Sequence, residues 1–217
     1  MSMSKFHVEL NTQKSEVLKM GHLVKDMLDK AVISLKNKDM QLADWVISKG
    51  DELGKFDENI EADLLQLIAL NQPVAKDMRL IACSLKMITY MARIGRYGRD
   101  IAKVTQELQD QPLGAKLVNI PTMTKYALNM IDDALNAYET ENLDLINDFQ
   151  QRDDQLDAMR YSVFRECLTY MMENPKNITP CTHYAMVARY IERCGDHACK
   201  MAEKIHYLVT GEHVEIR

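Results

Sequence analysis

The sequence predicts an all-α protein built from two copies of a three-helix unit. Three observations predict it. Long segments carry apolar residues at three- and four-residue intervals, the mark of a helix with one buried stripe. Glycine (8) and proline (5) are scarce in 217 residues, which disfavours turn-rich β architectures. The second half also repeats the first at an offset of 100 residues. Tyr90, Arg93, Gly95, Ala102 and Leu108 meet Tyr190, Arg193, Gly195, Ala202 and Leu208, and Asp44 and Asp57 meet Asp144 and Asp157.

Six segments follow in order. The first runs from Phe6 to Lys36, with Val17, Met20, Val24, Met27, Leu28, Ala31 and Leu35 on one face. Asn37-Lys38-Asp39 breaks it, and Asp39 is placed to cap the next, Met40 to Leu70. Asn71-Gln72-Pro73 ends that one, because the residue before proline is pushed out of helical space. The third runs from Val74 to Leu108. Pro112, Gly114 and Pro121 then make the strongest break in the chain, so the expected domains are 1–111 and 122–217 with a linker at 112–121. The remaining segments are Thr122 to Thr140, Leu143 to Glu173, and one opened by Pro180 that ends near Val209, with Gly211 as its stop. The 15 methionines read mainly as gap-filling core.

A chain that is 47% hydrophobic and 27% charged can bury a core without disulfides or a structural metal. A net charge of −5 argues against a general nucleic-acid binder and against charge-driven docking on anionic lipid. No apolar run is long enough to span a membrane, and residues 1–10 lack an apolar signal core, so a cytoplasmic protein is expected. Cys83, Cys167, Cys181, Cys194 and Cys199 are odd in number and have no C-x-x-C spacing, which fits buried thiols in a reducing compartment.

The chemistry-bearing pattern is acidic. Glu192 and Asp196 share one face of the last segment, and Asp153 and Asp157 share one face of the segment before it. Packed antiparallel across the Asn174-Pro175 turn, the two pairs lie at similar heights. Four converging carboxylates repel one another unless they are protonated or hold a cation, and an all-oxygen set suits Mg²⁺, Mn²⁺ or iron. The bland alternative is a solvated pair of helix faces with local salt bridges. The first repeat does not match: the equivalent positions are Leu53, Asp57, Ala92 and Arg96, leaving Asp57 and Glu61 as a lone pair. Arg96 is placed to pair with Asp100 or Glu52, or to face an acidic partner. Gly95 and Gly195 sit inside long helices, where glycine costs about 1 kcal/mol relative to alanine. Their shared position points to close helix approach or to room beside the acidic site.

These residues resemble the PhoU family of phosphate-uptake regulators. The resemblance rests on Gln72-Pro73-Val74-Ala75-Lys76-Asp77-Met78-Arg79, Lys86 and Arg93-Ile94-Gly95. It continues in Tyr170-Met171-Met172-Glu173, Ile191-Glu192-Arg193-Cys194-Gly195-Asp196-His197 and the ending Tyr207-Leu208-Val209-Thr210-Gly211-Glu212. It covers nearly the whole chain. It implies two three-helix bundles related by a pseudo-twofold and metal bound through E/D-x-x-x-D motifs, here Asp153, Asp157, Glu192 and Asp196, with Fe, Mn, Zn or Mg as the ion. It implies negative regulation of phosphate uptake rather than catalysis. The implied partners are a phosphate ABC transporter ATPase, a sensor histidine kinase, or both, and a homodimer is expected.

Two rivals remain on sequence. One is a metal-free helical scaffold acting through its faces. The other is a di-iron carboxylate enzyme, which needs paired E-x-x-H elements, whereas only Glu203-x-x-His206 is present. No phosphate-binding P-loop motif occurs.

Overall fold

The computed structural model describes residues 3–111 and 119–216, with side chains from residue 5. Among them the regular structure is helical: α1 (Met3–Asn37), α2 (Met40–Leu70), α3 (Ala75–Glu107), α4 (Ile120–Thr140), α5 (Phe149–Glu173) and α6 (Ile178–Thr210). α1, α2 and α3 pack together as one bundle, and α4, α5 and α6 form the second. The two join along α3 against α6 and α1 against α4.

The boundaries follow local chemistry. Asp39 accepts a hydrogen bond from the Leu42 backbone N–H at 2.9 Å and so starts α2. Gly211 ends α6 at φ 80°, a left-handed conformation that needs glycine. Three expectations need correcting. The segment expected to begin at Leu143 is interrupted: Leu143–Ile146 is a separate 3-10 turn, capped by the Asn142 side chain accepting from the Asp144 N–H, and α5 starts at Phe149. α6 begins at Ile178, before Pro180. A 3-10 turn at Pro175–Asn177 feeds it directly, and proline is tolerated in a first turn because its missing N–H has no partner there. α4 likewise takes in Ile120 and Pro121 from the span expected as linker; residues 112–118 of that span lie outside the described residues.

The expected α1 stripe from Val17 to Leu35 is buried throughout. Such burial, rather than intrinsic propensity, keeps helices of this length ordered. All five cysteines are buried free thiols, and no helix is long and apolar enough to cross a membrane among the described residues. Two hydroxyl pairs pin helices inside the apolar core: Ser34 with Thr105 at 3.0 Å joins α1 to α3, and Ser84 with Tyr138 at 2.6 Å joins the two bundles.

Candidate metal centre

The turn between α5 and α6 sets them antiparallel. Asn174 closes α5 by donating its N–H to the Tyr170 carbonyl, and its side chain accepts from the Lys176 N–H. Asn177 then donates its side-chain N–H to the same Tyr170 carbonyl at 3.0 Å. The close pairing of the helices depends on Gly195. A Cβ there would overlap Leu156 Cδ2 and lie 3.8 Å from Asp153 Oδ1. Gly95 plays the same part in the first bundle against Leu53. Close approach therefore explains both glycines, and at Gly195 the acidic site is also adjacent.

The two bundles differ in which residue plugs the glycine. Leu53 is equivalent in sequence to Asp153, yet Leu156, three residues further on, does the work of Leu53 in the second bundle. Between α2 and α5 the spatial equivalence is therefore offset by three further residues, and the positions of the first bundle that match Asp153 and Asp157 in space are Gly50 and Gly54.

The four expected acids gather along the seam between α5 and α6, close enough to act on one another's charge. Burial pushes the Asp153 carboxyl up to about 6, and the charges of Asp196 and Asp157 add to the rise. Glu192 is only 6% exposed; burial first, then Asp196 and Asp157, push its carboxyl up, while Arg189 opposes the rise. Each pair therefore feels the other across the helix seam. Among the described residues, no three His, Cys, Asp or Glu side chains are already posed to hold an ion. The arrangement is an acidic cleft rather than a finished ligand cage.

Arginines share the cleft, and the sequence reading missed two of them. Arg189 donates to Glu192 Oε1, and Arg160 Nε lies 3.7 Å from the same oxygen. Arg193 bonds Asp196 at 3.1 Å and approaches Glu192 Oε2 at 4.0 Å. Arg189 is three residues before Glu192, and Arg160 is three after Asp157, so helical spacing was the signal available. Glu192 Oε2 remains buried without a hydrogen-bond donor among the described residues. That buried oxygen, met only by Arg193 at 4.0 Å and with three further carboxylates near it, fits a hard cation in donor chemistry.

The first bundle lacks this arrangement. Asp57 and Glu61 line a hollow of about 340 Å³ with Lys86, and burial followed by the Glu61 and Glu58 charges raises the Asp57 carboxyl. Arg96 lies 4.0 Å from Asp100, while Glu52 is taken by Lys49. Glu203 is bound by Lys200 and the Ile216 N–H, and His206 contacts Thr210 and Glu212, so the E-x-x-H element does not assemble as a ligand pair.

Comparison with known proteins decides the family. The PhoU domain model matches the chain twice, over residues 17–105 and 120–205. The chain belongs to the PhoU family. A PhoU homolog of Rhizobium meliloti, described as a phosphate-specific transport system accessory protein, is 37% identical over 96% of this chain and 89% of its own length. A homolog of the same description from Clostridium acetobutylicum is 32% identical, with 97% of both chains covered. The crystal structure of PhoU from Pseudomonas aeruginosa superposes with a TM-score of 0.89 at 32% identity, covering 95% of this chain and all of that one. The crystal structure of PhoU from Streptococcus pneumoniae, described as a phosphate transport system regulatory protein, matches with a TM-score of 0.87 at 27% identity over 97% of this chain and 99% of that one. The names of these relatives are those of accessory or regulatory proteins where they state a role, not of enzymes.

Proposed function

We propose that this PhoU-family chain is a non-catalytic, cytoplasmic negative regulator of phosphate uptake. In this reading it couples a phosphate ABC transporter, through its ATPase, to a phosphate-responsive sensor histidine kinase. The observation that carries the reading is the double PhoU match across nearly the whole chain, with relatives described as accessory proteins of the phosphate-specific transport system.

Within that role, Asp153, Asp157, Glu192 and Asp196 are the residues to hold Fe, Mn, Zn or Mg. A bound cation would supply the positive charge that the crowded carboxylates lack. Arg160, Arg189 and Arg193 would stay at the rim as counter-charges of Glu192 and Asp196.

A metal-free regulatory scaffold is the second reading. It is favoured by the same three arginines, which already offset part of the negative charge. Metal content separates the two readings. Regulation itself is tested by deleting the gene and following a phosphate-starvation reporter in high phosphate. De-repression that the parent gene reverses is expected; a reporter unchanged by deletion contradicts negative regulation.

A further inference from the structure

The seam between α2 and α3 is the first bundle's counterpart of the acidic seam, and its charge is reversed. Gly50, Gly54, Ala92 and Arg96 stand where the second bundle has Asp153, Asp157, Glu192 and Asp196. None of the four acids is kept. Arg99 joins Arg96 one turn further along α3, where the second bundle has the buried thiol of Cys199.

Arg99 lies across Gly50. A Cβ there would overlap Arg99 Nη1 and stand 2.9 Å from Arg99 Cδ. α2 thus gives up a side chain, at a cost in helix propensity, to lodge a guanidinium. Arg99 Nε is buried without a hydrogen-bond acceptor, and Arg99 makes no ion pair among the described residues. A buried cationic donor left unmatched is costly, so the position favours an anion that brings an acceptor. Gly54, one turn on, has nothing within 4 Å of where its Cβ would stand, so close packing does not explain it. It leaves open space on α2 at the level of the two arginines.

The acids nearby leave Arg99 unmatched. Asp100 is shared by Lys103 at 3.5 Å and Arg96 at 4.0 Å. Glu52 is taken by Lys49, and Asp44 accepts from Gln106. Asp51, next to Gly50, and Glu58, one turn past Gly54, are exposed and make no ion pair among the described residues. Asp57 and Glu61 belong to the hollow with Lys86. The seam therefore offers guanidiniums with carboxylates at their edge, and that mixture selects among anions. Sulfate carries no proton at neutral pH, so a neighbouring carboxylate repels it. Hydrogen phosphate carries a hydroxyl that donates to a carboxylate while its other oxygens accept from guanidinium.

We propose that Arg99 and Arg96, beside the open backbone of Gly50 and Gly54, form a binding site for hydrogen phosphate on the first bundle. The two guanidiniums donate to phosphate oxygens, for which their planar forks are suited, and the phosphate hydroxyl donates to Asp100. The site stands on the first bundle's own residues. It needs neither a cation in the second bundle nor the regulatory role, which the reporter experiment tests separately.

The test is calorimetric titration of the full chain with inorganic phosphate and, separately, with sulfate. It is run at neutral pH and constant ionic strength, with a chelator present so that no metal ion carries the anion. The expected result is saturable phosphate binding, about tenfold tighter than sulfate or better. Arg99→Gln should weaken phosphate about tenfold or more. Gly54→Glu puts a carboxylate into open space, so it should abolish binding while the helical spectrum and melting temperature are kept. Asp100→Asn should erase the preference over sulfate, and Arg165→Gln, an exposed cation of α5, should change nothing. Absence of saturable phosphate binding overturns the proposal, as does equal binding by parent, Arg99→Gln and Gly54→Glu, or sulfate held as tightly as phosphate. Asp51→Asn should leave the melting temperature unchanged; a clear drop makes Asp51 the counter-charge of Arg99 and also overturns the proposal.

Discussion

Tyr90 on α3 stacks on His197 of α6 with ring centroids 5.8 Å apart and planes 22° apart. Tyr190 stacks on Tyr97 at 5.6 Å with the same 22°. Shifted by 100 residues, each pair becomes the other, so the two stacks are the internal repeat expressed in space. Tyr97 and His197, equivalent to one another, meet between them at 6.0 Å. The joint between the bundles is therefore a row of rings astride the pseudo-twofold.

This placement fixes a pH dependence. Burial, with the Arg93 and Arg193 charges behind it, pushes the His197 imidazole down to about 4 from 6.5. The folded protein holds the ring neutral where the unfolded chain would protonate it. The stability this contributes is present above about pH 6.5 and is lost as pH falls toward 4. His197→Phe keeps a ring in the stack and removes the titration. Urea unfolding across this range should show the parent losing stability relative to the variant as the solution is acidified. The rise in the Asp153 carboxyl acts in both proteins and drops out of the difference. Parallel pH profiles would contradict this account.

The glycine contact gives a packing prediction. Gly195→Ala gains about 1 kcal/mol of helix propensity but drives a Cβ into the fully buried Leu156. Overpacking of this kind costs roughly 1–3 kcal/mol, so a net loss of stability is expected. Adding Leu156→Val should recover most of it. A stabilised Gly195→Ala single variant would show that α5 yields easily.

The acidic cleft makes a signed prediction. In metal-free protein, Asp157→Asn removes one of the charges that push Asp153 and Glu192 up, so the melting temperature should rise. With Mn²⁺ or Fe²⁺ added, the parent should gain stability and the variant should gain little, because a ligand that binds the folded state stabilises it by mass action. Equal gains in both proteins would place any bound metal elsewhere.

The bundle joint also depends on one buried hydroxyl. Burial holds the Tyr138 phenol well above its usual range, and it shares a 2.6 Å hydrogen bond with Ser84. Tyr138→Phe should cost about 1 kcal/mol in chemical denaturation, the net worth of a typical internal hydrogen bond. Ser84 keeps its bond to the Leu80 carbonyl, which limits the loss.

The helices were legible because their stripes are long and regular, and the repeat was legible because Tyr90, Arg93 and Gly95 recur unaltered at Tyr190, Arg193 and Gly195. The break at Asn147–Asp148 was not, because Leu143–Ile146 keeps helical apolar spacing and only the Asn142 cap diverts it. Convergence of Asp153, Asp157, Glu192 and Asp196 was readable from spacing across one turn. Their partners Arg160 and Arg189 were not singled out, since both look like ordinary surface cations until α5 is seen packed against α6.

The most direct measurement of the central claim is metal content per chain. The protein would be purified without chelator or affinity metal and assayed by elemental analysis. A variant carrying Asp153→Asn, Asp157→Asn, Glu192→Gln and Asp196→Asn would be run alongside it. The account predicts near-stoichiometric or higher Fe, Mn, Zn or Mg in the parent, lost in a variant that keeps its helical spectrum. A parent that stays metal-free after loading with each of the four ions would contradict it, and the cleft would then be an arginine-balanced protein surface.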